Sequence, residues 1–234
     1  MHTTEEEVEE ISTTYTYQQL NPTAQEKVKE WWYEHGIDYP WWEEGVYEGF
    51  KEDGYDLGFL VGTMNFTGFH SQGDGACWSG HIDVAQWLRA HTSDSIAKDA
   101  WIQLINEDFT EKNIPVGYSS NHYSHSGTMS VAYWEGLIDD DYKFDEEQWD
   151  HRLNKDSIFK GMHYKDLVNI ITSSDFPYKS MSDLAEAIEQ SARDYADELY
   201  KRLREEYEYL TSEESLIESC DANDWQFNNE GEMV

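Results

Sequence analysis

Four histidines, His70, His81, His122 and His125, fall in two short stretches that also hold Asp74, Cys77 and Asp83. Imidazole and carboxylate together suit borderline cations, so His81-x-Asp83 with His122-x-x-His125 is a candidate metal set. Asp74, Cys77, His81 and His125 are the residues on which a small metal- or thiol-dependent enzyme would centre. The spacing matches no defined zinc scaffold, and a cysteine nucleophile needs a neighbouring base and a lowered pKa, neither of which the sequence displays. Hydrogen-bonded histidines and a buried, inert thiol are the plainer account of the same residues. The glycines at 73 and 75 are no phosphate cradle, because no lysine accompanies them and Asp74 would repel an anion.

The second chemistry is that of carboxylates. The 234 residues include 49 Asp and Glu against 16 Lys and Arg, a formal net charge of −33. The acids concentrate at 5–10, 38–56, 135–150, 183–198 and 205–232. A folded chain of this size exposes roughly 11,000 Å², or about 330 Å² per net charge if spread evenly. Duplex DNA carries a charge per roughly 100 Å² of its cylinder. An even spread is thus too dilute to resemble DNA, whereas acids gathered on one face could match it. Helices place carboxylates at i and i+3 or i+4 on one side, and such a display would attract surfaces built for phosphates. The densest run supplies the candidate partner-binding residues: Asp139, Asp140, Asp141, Asp145, Glu146, Glu147 and Asp150. The exposed acids of the first and last helices join them. A merely solvated or salt-adapted face is the alternative for such charge. The 139–147 acids lack the spacing of a calcium loop, and no cofactor is expected.

The elements that must position these residues read as an α+β fold. Asn21-Pro22 caps a helix carrying Ala24, Val28, Trp31, Trp32 and His35, and a second short helix follows Pro40. Met64 to His70 and Ala76 to Asp83 read as strands across the turn 71–75, and Ile114 to Tyr118 and Thr128 to Trp134 as two more. Helices are predicted from Val84, over Ser95 to Phe109, and around 146–152 and 164–172. The strongest element is the long C-terminal helix over 182–210. Ser180 and Asp183 form its capping box, and Leu184, Ile188, Ala192, Tyr195, Leu199 and Leu203 recur at three- and four-residue steps. Thr211 with Glu214 caps a short final helix. The expected organisation is an acidic arm over 1–12, a single α+β domain over 13–220 with a small antiparallel sheet, and an acidic tail over 221–234.

An aromatic share of 15%, with 10 Trp and 16 Tyr, supplies a core despite a mean hydropathy of −0.81. The Trp pairs 31–32 and 41–42 read as core rather than as base-stacking platforms. Two distant cysteines, Cys77 and Cys220, imply no disulfide framework and fit a reducing compartment. The start shows no basic and apolar leader pattern, and no apolar stretch is long enough to span a bilayer. The charge repels nucleic acid and anionic lipid alike, so direct nucleic-acid and membrane partners are not expected; a homodimer is allowed.

Two resemblances bear on function. Asp74-Gly75-Ala76-Cys77-Trp78 resembles the Asp-Gly-x-Cys segment of ovarian-tumour-type cysteine proteases, and His122-Tyr123 their histidine dipeptide. That family's cysteine opens a helix, whereas Cys77 falls in a strand-like stretch, and the interval to His122 is shorter than that fold needs. The segment Phe66-Thr67-Gly68-Phe69-His70-Ser71-Gln72-Gly73-Asp74-Gly75-Ala76-Cys77-Trp78, with His122 to Met129, Glu205 to Glu214 and Asn223 to Phe227, resembles a family of small accessory proteins of tailed bacteriophages and prophages. The resemblance spans about Tyr15 to Gly231 and carries over no catalytic residue. It implies a phage origin, expression in the cytoplasm of an infected bacterium and a role against host systems. The function expected first is therefore a phage accessory protein that binds and inhibits a basic host protein of nucleic-acid handling or defence through a DNA-like carboxylate surface. An enzyme centred on the 70–83 and 122–125 loops ranks second.

Overall fold

A computed structural model describes residues 13–35, 41–108, 113–119, 124–131, 159, 162 and 164–234. The arm 1–12, His122, the predicted helix 146–152 and the acids Asp139, Asp140, Asp141, Asp145, Glu146, Glu147 and Asp150 lie outside the described residues. The chain divides into two compact units, Gly45–Arg202 and, from the described residues of Met1–Glu44, a second unit completed by Leu203–Val234.

The larger unit is built on four antiparallel strands in the order β1-β2-β3-β4: β1 Phe59–Thr67, β2 Gly75–Asp83, β3 Asn113–Tyr118 and β4 Met129–Val131. With helices around them the chain is α+β, as its sequence predicts. The register pairs Asn65 with Cys77, Thr67 with Gly75 and Ile82 with Ile114, with a bulge between Val61 and Thr63. β1 starts at Phe59 rather than at Met64, because Phe59, Leu60 and Val61 continue the ladder opposite Ile82, His81 and Gly80. Of the predicted strand 128–134, Thr128 instead closes a 3-10 turn over Ser126–Thr128, and 132–134 lie outside the described residues.

Period-two alternation sends Ala76, Trp78 and Ile82 of β2 to one face, where all three are buried. The helices of the larger unit are α2 Glu44–Asp56, whose first residue lies just outside it, α3 Val84–His91, α4 Ile96–Asp108 and α5 Tyr164–Ser173. The long helix α6, Met181–Leu210, contributes residues to both units. Its start is the predicted capping box: the Ser180 amide donates to Asp183 Oδ2 at 3.0 Å and the Asp183 amide to Ser180 Oγ at 3.1 Å. The Leu184, Ile188, Ala192 and Leu199 side of α6 is fully buried. Trp78 Nε1 donates to the Ala192 carbonyl at 3.1 Å, and Trp87 Nε1 to Ser191 Oγ at 3.0 Å, so the indoles bury area and satisfy their one polar atom. Tyr195 stacks on Phe50 and Phe59, with centroids at 4.0 and 4.7 Å, and its hydroxyl donates to the Phe50 carbonyl at 2.6 Å.

The smaller unit packs α1, Pro22–His35, with the final helix α7, Glu213–Ala222, around Tyr17, Leu20, Ala24, Val28, Trp32, Leu216, Cys220 and Phe227. Asn21 caps α1 as predicted, accepting from the amides of Thr23 and Ala24 at 3.0 and 3.1 Å. The cap of α7 is Ser212, which accepts from the Ser215 amide, and not Thr211. The Thr211 hydroxyl instead turns back to the Tyr207 carbonyl at 2.8 Å, satisfying the last turn of α6. Ahead of α1, the Tyr15 amide and carbonyl pair with Phe227 in an isolated antiparallel bridge, followed by a 3-10 turn over Tyr17–Gln19. Phe227, within the acidic tail, is buried and also bridges to Met233.

Candidate functional site

The β1–β2 turn is held by Asp74. Its Oδ2 accepts from the amides of His70 at 2.8 Å and Ser71 at 2.6 Å, while its own amide donates to the Ser71 carbonyl. Gly73, at φ +111°, takes the left-handed conformation the turn requires. Gly75 then opens β2 directly beneath the segment 124–128: a Cβ there would lie 2.5 Å from the Cβ of His125. The Gln72-Gly73-Asp74-Gly75 loop thus has a structural use for each of its last three residues.

That overlying segment covers Cys77. The thiol is fully buried and hydrogen-bonds with Ser124 and Thr128; burial pushes its pKa up, and those contacts offset the rise only in part. A nucleophilic thiol requires the opposite shift. His81 points to the same side of β2 as Cys77 but sits four residues along, about 13 Å at strand rise, and is exposed. His125 Nδ1 accepts from the Gly127 amide at 3.0 Å, so that nitrogen is occupied within its own turn. Asp83 is the N-cap of α3, its Oδ1 accepting from the Gln86 amide at 2.9 Å. Asp74, Cys77, His81 and Asp83 therefore follow one another along a turn and strand, and of the described candidates from 122–125 His125 is folded over the start of that strand. Among the described residues no three His, Cys, Asp or Glu side chains converge as a metal set.

The carboxylates present a different geometry. On α6, Asp183, Glu186, Asp194 and Asp197 are exposed, with the polar Gln190 between them. At 100° per residue these five fall within one outward stripe, opposite the buried Leu184, Ile188 and Ala192. The stripe holds no cation before Lys201. The Ser180 side chain first, and then the Lys179 and Ser180 amides, hold the Asp183 carboxyl below the usual carboxylate range. Asp194 accepts from Gln190 Nε2 at 2.8 Å, which orders two members of the row. The cations of this part of α6 pair sideways. Arg193 meets Glu189 at 2.5 Å, while Arg202 binds Glu198 at 3.1 Å and Asp53 at 2.6 Å and lies 6.0 Å over the Phe50 ring. These pairings leave the outward row its net charge.

The fold and this row define a class: an α+β protein whose meander sheet is backed by a long, amphipathic and outwardly anionic helix. The chain belongs to the family described as a domain of unknown function (DUF8835), whose model matches residues 41–213. No curated protein and no solved structure matches it. Among the described residues, no helix is long and apolar enough to cross a membrane.

Proposed function

We propose that the protein is a binding protein that presents ordered carboxylates to a basic partner. In the fuller form of this reading it is a phage accessory protein in the infected cell. Its partner is a host protein of nucleic-acid handling or defence, and the outcome is inhibition by occupation of a phosphate-binding surface.

The observation that carries the reading is the α6 row. Asp183 to Asp197 spans fifteen residues, a rise of about 21 Å of rigid helix. One DNA strand places about six phosphates over that length. Four carboxylates are therefore somewhat over half the linear charge of a single strand, fixed in place without the mobility of a loop. Such a row complements a Lys- and Arg-lined surface and accelerates encounter at low salt. The acids of 139–150 belong to the proposal on their sequence alone.

The test uses the triple substitution Glu186→Gln, Asp194→Asn and Asp197→Asn, which leaves the Asp183 cap in place. Partners captured from bacterial lysate at low salt by the natural protein should be lost by the variant and released by competing duplex DNA. Capture that is indifferent to the substitution, to salt and to DNA would overturn the reading.

A further inference from the structure

The smaller unit contains a groove of about 320 Å³ between α1 and the turn that enters α7. Its floor is apolar: Trp32 and Leu216 line it and are 7% and 0% exposed. The Trp32 indole is fixed from behind, its Nε1 donating to the Leu210 carbonyl at 2.9 Å. The α1 wall carries Glu26, Glu30 and Glu34, one helical turn apart, and all three are exposed. The one lysine of the lining, Lys29, is engaged with Glu213 at 2.9 Å and with Glu26 at 4.0 Å. Glu30 and Glu34 make no ion pair with a described residue. Beside them Tyr33 stands 51% exposed, its ring held by a hydrogen bond with Tyr207.

An apolar floor, an aromatic side and two uncompensated carboxylates one turn apart select for a cation with a flat apolar body. We propose that this groove takes an arginine side chain of a partner polypeptide. The aliphatic stem would lie on Trp32 and Leu216, the guanidinium face against Tyr33, and its N–H fork between Glu30 and Glu34. Side chains at i and i+4 have their Cβ atoms about 5–6 Å apart. That spacing suits a planar group with five donors better than the point charge of lysine. Stacking on an aromatic face adds the cation–π attraction. The volume lies at the lower end for ligand pockets, which matches one anchoring side chain rather than a cofactor. The inference rests on the reading of the partner as basic, and it places the recognition of a single residue in the smaller unit, apart from the long-range charge of α6.

The experiment uses the full chain and three blocked heptapeptides with identical leucine and serine flanks and a central arginine, lysine or citrulline. Binding is followed by tryptophan fluorescence and calorimetry at low salt. The arginine peptide should bind about tenfold or more tightly than the citrulline peptide, and also more tightly than the lysine peptide. Glu30→Gln with Glu34→Gln should remove that preference, with far-UV circular dichroism unchanged, whereas the α6 triple variant should keep it. Equal binding of arginine and citrulline peptides, equal binding of arginine and lysine peptides, or no binding of any peptide would each overturn the arginine pocket. Loss of lysate partners in the α6 variant with no arginine preference would sink this inference alone. An arginine preference with partners unaffected by the α6 variant would sink the α6 reading alone.

Discussion

The backbone of His125 passes so close over Gly75 that a methyl group at position 75 would sit 2.5 Å from the His125 Cβ and 2.9 Å from its Cα. Both contacts are with atoms that cannot swing away. Gly75→Ala therefore either lifts the 124–128 segment or distorts the start of β2. Overpacking of this kind costs about 1–3 kcal/mol, and urea denaturation should show a loss in that range. An unchanged midpoint would mean that the segment does not lie over the strand. Because 124–128 also seals Cys77, the same variant should raise that thiol's accessibility.

The opposite sign is expected at Gly49, in the middle of α2, where a Cβ would meet nothing within 4 Å. Alanine restricts the unfolded chain and suits a helix interior better than glycine, so Gly49→Ala should stabilise by about 0.5–1 kcal/mol. A destabilisation measured in the same urea series would show that α2 is not a regular helix there.

These two glycines mark what the sequence could and could not disclose. β2, β3 and the α6 stripe with its Ser180–Asp183 cap follow from local periodicity and capping chemistry, which act within a few residues. So does the outward acid row, since the residues opposite a buried stripe are fixed by the same 100° step. Gly75 looks like turn punctuation, because the reason for it is 50 residues away in the chain. Phe59 to Val61 sits in a short apolar run that has no period of its own and becomes strand only by pairing with β2. Phe227 is hidden among acids and amides, and its burial depends on pairing with Tyr15 at the other end of the chain. The groove was obscured for the same reason: Trp32 and Leu216 are both ordinary core residues until α1 and α7 are placed together.

Cys77 and Cys220 are both buried, and burial pushes the Cys220 thiol up to about 11 and that of Cys77 upward as well. At pH 8 a disulfide reagent should therefore modify the native protein far more slowly than it modifies a free thiol, with full reaction only in denaturant. Rapid one-to-one labelling of Cys77 in the folded protein would revive the thiol-enzyme reading. Cys77→Ala should leave the binding of basic partners intact.

Trp78 joins the sheet to α6 through its buried ring and its N–H bond to Ala192. Trp78→Phe keeps most of the apolar area but leaves the Ala192 carbonyl without that donor and opens space beside Phe59 and Tyr195. The lost hydrogen bond and the cavity together should cost about 2–4 kcal/mol. Near-ultraviolet circular dichroism separates a local loss of packing from a loss of the fold. A cost near zero would argue that α6 is not anchored to the sheet through this residue.

Glu213 sets the acid limit of the smaller unit. The Tyr17 hydroxyl donates to its Oε1 at 2.7 Å, and Lys29 Nζ lies 2.9 Å from its Oε2; in that order of importance they hold the carboxyl below the ordinary glutamate range. A depressed carboxyl adds stability that is complete above its unfolded value, about 4.3, and is lost as the pH falls through the folded value. Tyr17 sets a limit of the opposite sense. Burial first, and the Glu213 contact second, push its phenol upward, so its contribution is complete below about 10 and declines as the pH rises beyond it. The contact is thus strongest between those two limits, where Glu213 is ionised and Tyr17 is neutral. In Tyr17→Phe the glutamate keeps Lys29 but loses the largest single contact that holds its charge. A carbon-13 titration of the Glu213 carboxyl should then move up toward the ordinary glutamate value while remaining below it. A titration unmoved by Tyr17→Phe would mean that Lys29 alone holds the charge, and α7 would then be tied to α1 but not to the Tyr17 turn.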